Sequence, residues 1–194
     1  QIGGLTTTDI GELTANQVGA LTGTQITALS TTNLNALTST QVGGLKESQI
    51  RSLNTTQIQP LATTDLDELN ATQVRALTTT QLGNLDATQL GVLTTETKIG
   101  NLTGTQIASF TTTTINGLNT TQVQALKATQ IPSLSSTQIG ALTAGDFEEF
   151  TTTQVKALGT TQIRALGSAV VGGFTQTQIE ALTTTQLSAL TTTQ

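Results

Sequence analysis

A pair of large apolar residues recurs every eight positions along this chain. Ile10 and Leu13 are followed by Val18 and Leu21, Ile26 and Leu29, then Leu34 and Leu37. The pairs run to Leu90 and Leu93, slip by one residue, resume at Ile99 and Leu102, and continue to Leu187 and Leu190. The octad reads L-T-x-T-Q-[I/V/L]-x-A, with the next Leu opening the next unit. A fixed short period over about 24 copies marks a solenoid, because one unit cannot bury its own apolar face and must stack on its neighbours. The whole chain, 1–194, therefore reads as a single tandem array with a one-residue insertion near 94–98. It opens at Gln1-Ile2 and closes at Thr193-Gln194 in the same phase, as a window of a longer array would.

The residues within an octad point to a short helix. In Leu5-Thr6-Thr7-Thr8-Asp9-Ile10, Thr6 stands at a helix N-cap and Asp9 at N3, where a capping box finds its second partner. Most octads carry Gln at N3. Leu5 and Ile10 then hold the two positions of a hydrophobic staple. The cap position reads Thr, Ser, Asn, Asp or Gly almost throughout, including Ser30, Asn54, Asn70, Asp86, Asn119 and Gly159; Lys46, Ala62 and Lys127 depart. Such side chains satisfy the free N–H groups of a helix start. Small residues such as Gly19-Ala20 and Gly140-Ala141 follow the Ile, where the chain must turn and neighbouring coils approach.

The rival architecture is a β-solenoid, since Thr favours strands and Pro60 and Pro132 fall late in their units. Parity separates the two. The apolar spacings of three and five are odd, so the pair would point to opposite faces of one strand. Positions three apart share a helix face. The expectation is all-α: a solenoid of very short helices, one per octad. Thr also precedes the N3 residue, usually Gln, with great regularity, as at Thr8, Thr24, Thr40 and Thr56. Capping does not require it. Either this Thr or the adjacent Gln bonds to the backbone of the next coil, or the position simply takes small polar residues. Phe110, Phe147, Phe150 and Phe174 stand at core positions and read as core filler.

The inventory of chemistry is thin. The chain has no His, Cys, Met, Trp or Tyr, and 10% of it is charged. General bases, soft metal ligands and stacking platforms are mostly drawn from the missing types. Seven basic residues lie scattered under a net charge of −5, which leaves no stripe for a phosphate backbone. No apolar run is long enough to span a membrane. Asp65, Asp67 and Glu68 form the densest acidic cluster, with Asp146, Glu148 and Glu149 next. Either could hold a hard cation such as calcium, but both read as solvated helix faces, and acids at N3 suit the helix dipole. Sequons at Asn54, Asn70, Asn101 and Asn119 matter only in a eukaryotic secretory pathway. No catalytic, cofactor-binding or metal-binding residue is expected, and no enzyme activity.

Tandem octads such as Ala181-Leu182-Thr183-Thr184-Thr185-Gln186-Leu187 resemble those of very long bacterial surface or secreted proteins, called adhesin-like or haemagglutinin-like exoproteins. The resemblance covers essentially the whole chain and carries no site residues. It implies an extracellular or cell-surface structural element: an adhesin shaft, or a self-associating filament or sheath. Contact with a host or neighbouring cell would come through domains outside this segment. The large apolar residues are sparse, so contacts between coils and between rods must add stability, and a neutral Thr/Gln surface does little to oppose them. The alternatives are an ice-binding protein presenting Thr arrays and a protein-binding solenoid scaffold.

Overall fold

The computed structural model describes residues 2–92 and 98–194. The insertion at 94–97, and with it Leu93, lies outside the described residues. The described chain is all-helical: 21 short α-helices and three 3₁₀ turns, with no strand. It divides into two compact units, Gln1–Leu93 and Thr94–Gln194. Each unit is a solenoid of octad helices four to six residues long.

Isolated helices this short are unstable in water, because nucleation fixes several residues for each bond gained. Local caps and tertiary packing must carry them. The cap is built as the sequence predicts. Thr14, Thr22 and Thr38 accept from the N3 amides of Gln17, Gln25 and Gln41, and each Gln carbonyl accepts from the cap N–H in return. At Lys46 and Gly159 only the return half survives, from Lys46 N–H to Gln49 Oε1 and from Gly159 N–H to Gln162 Oε1.

The two prolines act locally. The helix Thr55–Ile58 stops after four residues, just before Pro60, and the octad holding Pro132 forms the 3₁₀ turn Ile131–Ser133. The corners differ from expectation. No described residue has a positive φ, so left-handed glycine caps play no part. An extended Leu and an extended cap residue turn the chain instead, as at Leu21 (φ −60°, ψ 143°) and Thr22 (φ −75°, ψ 160°).

Helices three octads apart pack on one another. Ala15–Ala20 packs against Ser39–Gly43 in the first unit, and Ser136–Gly140 against Thr160–Ala165 in the second. Hydrogen bonds between coils recur at separations of 28 and 31 residues. A coil is therefore between three and four octads, since packed helices are three octads apart and the side-chain bonds span 28 to 31 residues. Each helix packs on the helix three octads before it, while its Gln reaches the corner that precedes that helix.

The Ile and Leu side chains fill the interior of each unit. Ile10, Ile58, Ile107 and Ile163 are fully buried, as are Val18 and Val155. Coils with a neighbour on one side only show which row each neighbour covers. In the first described coil Leu13 and Leu21 are half-buried while Val18 is buried. In the last described coil Ile179 and Leu187 are 50% and 46% exposed while Leu182 is buried. The Ile row is thus sealed by the following coil and the Leu row by the preceding one. Glycine is needed where backbones cross: a Cβ at Gly19 would lie 2.6 Å from the Gly44 carbonyl oxygen.

Candidate functional site: a glutamine ladder between coils

The corner Leu carbonyl belongs to no helix and faces the next coil. Left without a donor in a buried place, it would cost stability. The N3 Gln supplies that donor. Gln41 Oε1 accepts from Thr38 N–H at 2.8 Å, while its Nε2 donates to the carbonyls of Ile10 and Leu13, both at 2.7 Å. In the next octad Gln49 Nε2 donates to Val18 and Leu21. In the second unit Gln154 Nε2 donates to Val123 and Leu126, both at 2.7 Å. All three Gln side chains are buried. One buried amide so completes its own helix cap and ties its coil to the one before. Its orientation is fixed by chemistry, since the oxygen faces an N–H and the nitrogen faces two carbonyls.

The sequence therefore pointed to the right pair of residues. The Gln makes the inter-coil bond, and it reaches the preceding coil rather than the next. The Thr before it, as at Thr8, Thr24 and Thr40, stays exposed, and nothing in the structure explains its regularity. Some N1 side chains meet the coil 29 residues on: Ser39 Oγ donates to Glu68 and Thr120 Oγ1 to Glu149 Oε1.

The octads without Gln show what the ladder does. Asn33 is shorter and keeps one inter-coil bond, from Nδ2 to Leu5 O at 2.8 Å. Thr114 has no amide, and its hydroxyl accepts from Thr111 Oγ1 of its own cap. Asp9 and Asp146 turn back onto Thr6 and Thr143, whose N–H and hydroxyl donate to one carboxylate oxygen. Those bonds hold the Asp9 carboxyl below its ordinary range, the Thr6 amide contributing most.

Asp65 is the exception. Its cap residue is Ala62, which offers no hydroxyl. Its Oδ2 is buried without a hydrogen-bond partner, and so is Glu68 Oε2. Burial, then the Glu68 charge, pushes the Asp65 carboxyl up, opposed by the Ala62 amide. The reading of this cluster as a solvated helix face thus fails for Asp65 and Glu68 and holds for exposed Asp67.

The second acidic cluster is split. Asp146 serves its cap, Glu149 bonds Thr120 of the preceding coil, and Glu148 is exposed. Among the described residues no three His, Cys, Asp or Glu side chains converge as metal ligands would. No described helix is long and apolar enough to cross a membrane. Three sequon asparagines, Asn54, Asn70 and Asn119, cap helices through Oδ1. Phe147 stacks between Phe150 and Phe174, with centroids 5.1 Å and 4.7 Å away. Phe110, Phe147 and Phe150 are buried and Phe174 is half-buried, so the ring cluster serves packing.

Residues 139–176 match the ALTTAQ repeat family. The chain is thus a tandem-repeat protein, with the match covering a minor part of its length. Neither the curated proteins nor the solved structures include a match to it.

Proposed function

We propose that this chain is a non-catalytic structural element of the cell surface or extracellular space: the shaft of an adhesin, or a self-associating filament or sheath subunit. The observation that carries the reading is the glutamine ladder. Its buried amides are committed to holding coil on coil, and the same two bonds recur along each unit. Such a unit adds coils without any new chemistry, which suits a molecule whose task is length. The ALTTAQ match supports the repeat character, and the resemblance to long exoproteins supports the location. The test is a series of arrays with increasing octad number, followed by light scattering and electron microscopy. Rods should lengthen in proportion to octad number and associate above some length. Particles that stay compact and monomeric at every length would sink the reading. The exposed Thr row at Thr8, Thr24 and Thr40 favours ice binding as a second reading. Its test is thermal hysteresis of the purified chain.

A further inference from the structure

Asp65 occupies a rung of the ladder with the wrong chemistry. Gln41, Gln49, Gln57, Gln73 and Gln81 all donate to the preceding coil, and the spacing of 31 and 28 residues assigns Leu34 and Leu37 as the acceptors for position 65. A carboxylate cannot donate to a carbonyl. Asp65 Oδ2 thus stands at a rung whose two backbone carbonyls receive no Gln amide, and Glu68 Oε2, three residues on, is likewise buried without a partner. Asp65, Leu34 and Leu37 line one cavity of about 30 Å³, whose other walls are Leu, Ile and Val side chains. Asp9 and Asp146 escape this situation by bonding to a Thr cap, and Ala62 closes that route.

We propose that Asp65 and Glu68 form a proton-operated latch between coils. In acid, Asp65 is a neutral carboxylic acid whose O–H replaces the missing amide donor and joins the helix Thr63–Glu68 to the coil beneath. At higher pH the proton leaves, the ionised Asp65 carboxyl faces that apolar cavity without the proton its rung requires, and the contact with the helix Ser39–Gly43 loosens. The packed helices Ser39–Gly43 and Ala87–Gly91 carry no titratable residue, and the flanking Lys46, Asp86, Asp67 and Arg75 are all exposed. Glu68 Oε1 already accepts from Ser39 Oγ, which holds Glu68 against the same coil. The raised carboxyl of Asp65 sets the sign: its stabilisation is complete below the ordinary carboxylate range and is lost as pH rises through the folded-state midpoint.

The experiment uses the full chain. Carbon-detected NMR follows the Asp65 carboxyl, and hydrogen exchange, corrected for intrinsic rates, follows opening of Ser39–Gly43 and Thr63–Glu68 from pH 4 to pH 7. Asp65 should titrate above ordinary aspartates. Opening of both helices should increase about tenfold for each unit by which its midpoint is displaced. Asp65→Gln should remove that increase, and Glu68→Gln should lower the Asp65 midpoint part of the way. An Asp65 midpoint at or below that of ordinary aspartates overturns the latch. So does an Asp65→Gln chain that opens with the same pH dependence as the parent.

Discussion

The helices Ser39–Gly43 and Thr63–Glu68 are packed neighbours of nearly equal length, yet they are held by opposite means. The first has Thr38 at its cap and Gln41 at N3, and every polar atom of that pair finds a partner. The second has Ala62 and Asp65, and leaves a carboxylate oxygen buried and unpartnered. Backbone geometry scarcely distinguishes them, since both cap residues are extended. The fold is thus set by the apolar pair and the corner. The hydrogen bonds decide how tightly one coil holds the next.

The most severe way to break this contrast is to convert a good rung into a bad one. Gln81 Oε1 accepts from Thr78 N–H, and its Nε2 donates to Ile50 and Leu53. In Gln81→Glu the carboxylate still caps the helix but now faces two carbonyls. The expected cost at pH 7 is about 4 kcal/mol, from two lost bonds and a buried charge. Part of it should return on acidification, as protonation restores a donor. Denaturant unfolding at pH 7 and pH 4 reads both effects. A variant as stable as the parent at pH 7 would mean that the ladder contributes nothing.

The sequence carried a signal for this ladder that is easy to pass over. A capping box accepts Glu as readily as Gln. Yet no octad has Glu at N3, where Gln41, Gln49, Gln57, Gln73 and Gln81 recur. Excluding an acceptor-only side chain of the same size says that the amide must donate as well. The helices, the caps and the Ile/Leu core were legible because each depends on residues within one octad. The coil length was not, because it is set only where the Gln of one coil meets the corner of another. Nor was the burial of Asp65 legible, since Ala62 and Asp65 each look tolerable alone and it is their coincidence that strands the carboxylate.

Ala62→Thr tests that coincidence directly. A hydroxyl at the cap gives Asp65 the partner that Thr143 gives Asp146. The chain should gain about 1 kcal/mol or somewhat more at pH 7, the usual worth of an N-cap. The Asp65 carboxyl should fall towards its ordinary value in an NMR titration. A gain in stability with no movement of that carboxyl would show that the introduced hydroxyl caps the backbone alone.

Thr151→Ala makes the reverse change in a sound octad of the second unit. Thr151 Oγ1 accepts from Gln154 N–H, while Gln154 keeps its bonds to Val123 and Leu126. The loss should be about 1 kcal/mol, well below that of the Gln81 variant. If the two losses are equal in denaturant unfolding, the cap and not the ladder dominates the octad.

The smallest effect on pH dependence belongs to Thr6→Val. Asp9 shares the N3 position with Asp65, but its carboxylate is exposed and receives the Thr6 amide and hydroxyl at 2.8 and 2.7 Å. Its carboxyl is lowered where that of Asp65 is raised, so the two oppose each other in pH dependence. The Asp9 contribution is present above the ordinary carboxylate range and is lost as pH falls through its depressed midpoint. Valine removes the hydroxyl and keeps the larger influence, the backbone amide. The Asp9 midpoint should therefore rise only part of the way to its ordinary value, and the pH dependence of stability should scarcely change, because water solvates an exposed carboxylate in either state. The lost cap acceptor for Asp9 N–H costs about 1 kcal/mol at every pH. A full return to the ordinary value would mean that the amide bond fails without the hydroxyl. The capping box would then act as one cooperative unit, and the severity at Asp65 would follow from the lack of a single hydroxyl at its cap, where Ala62 stands.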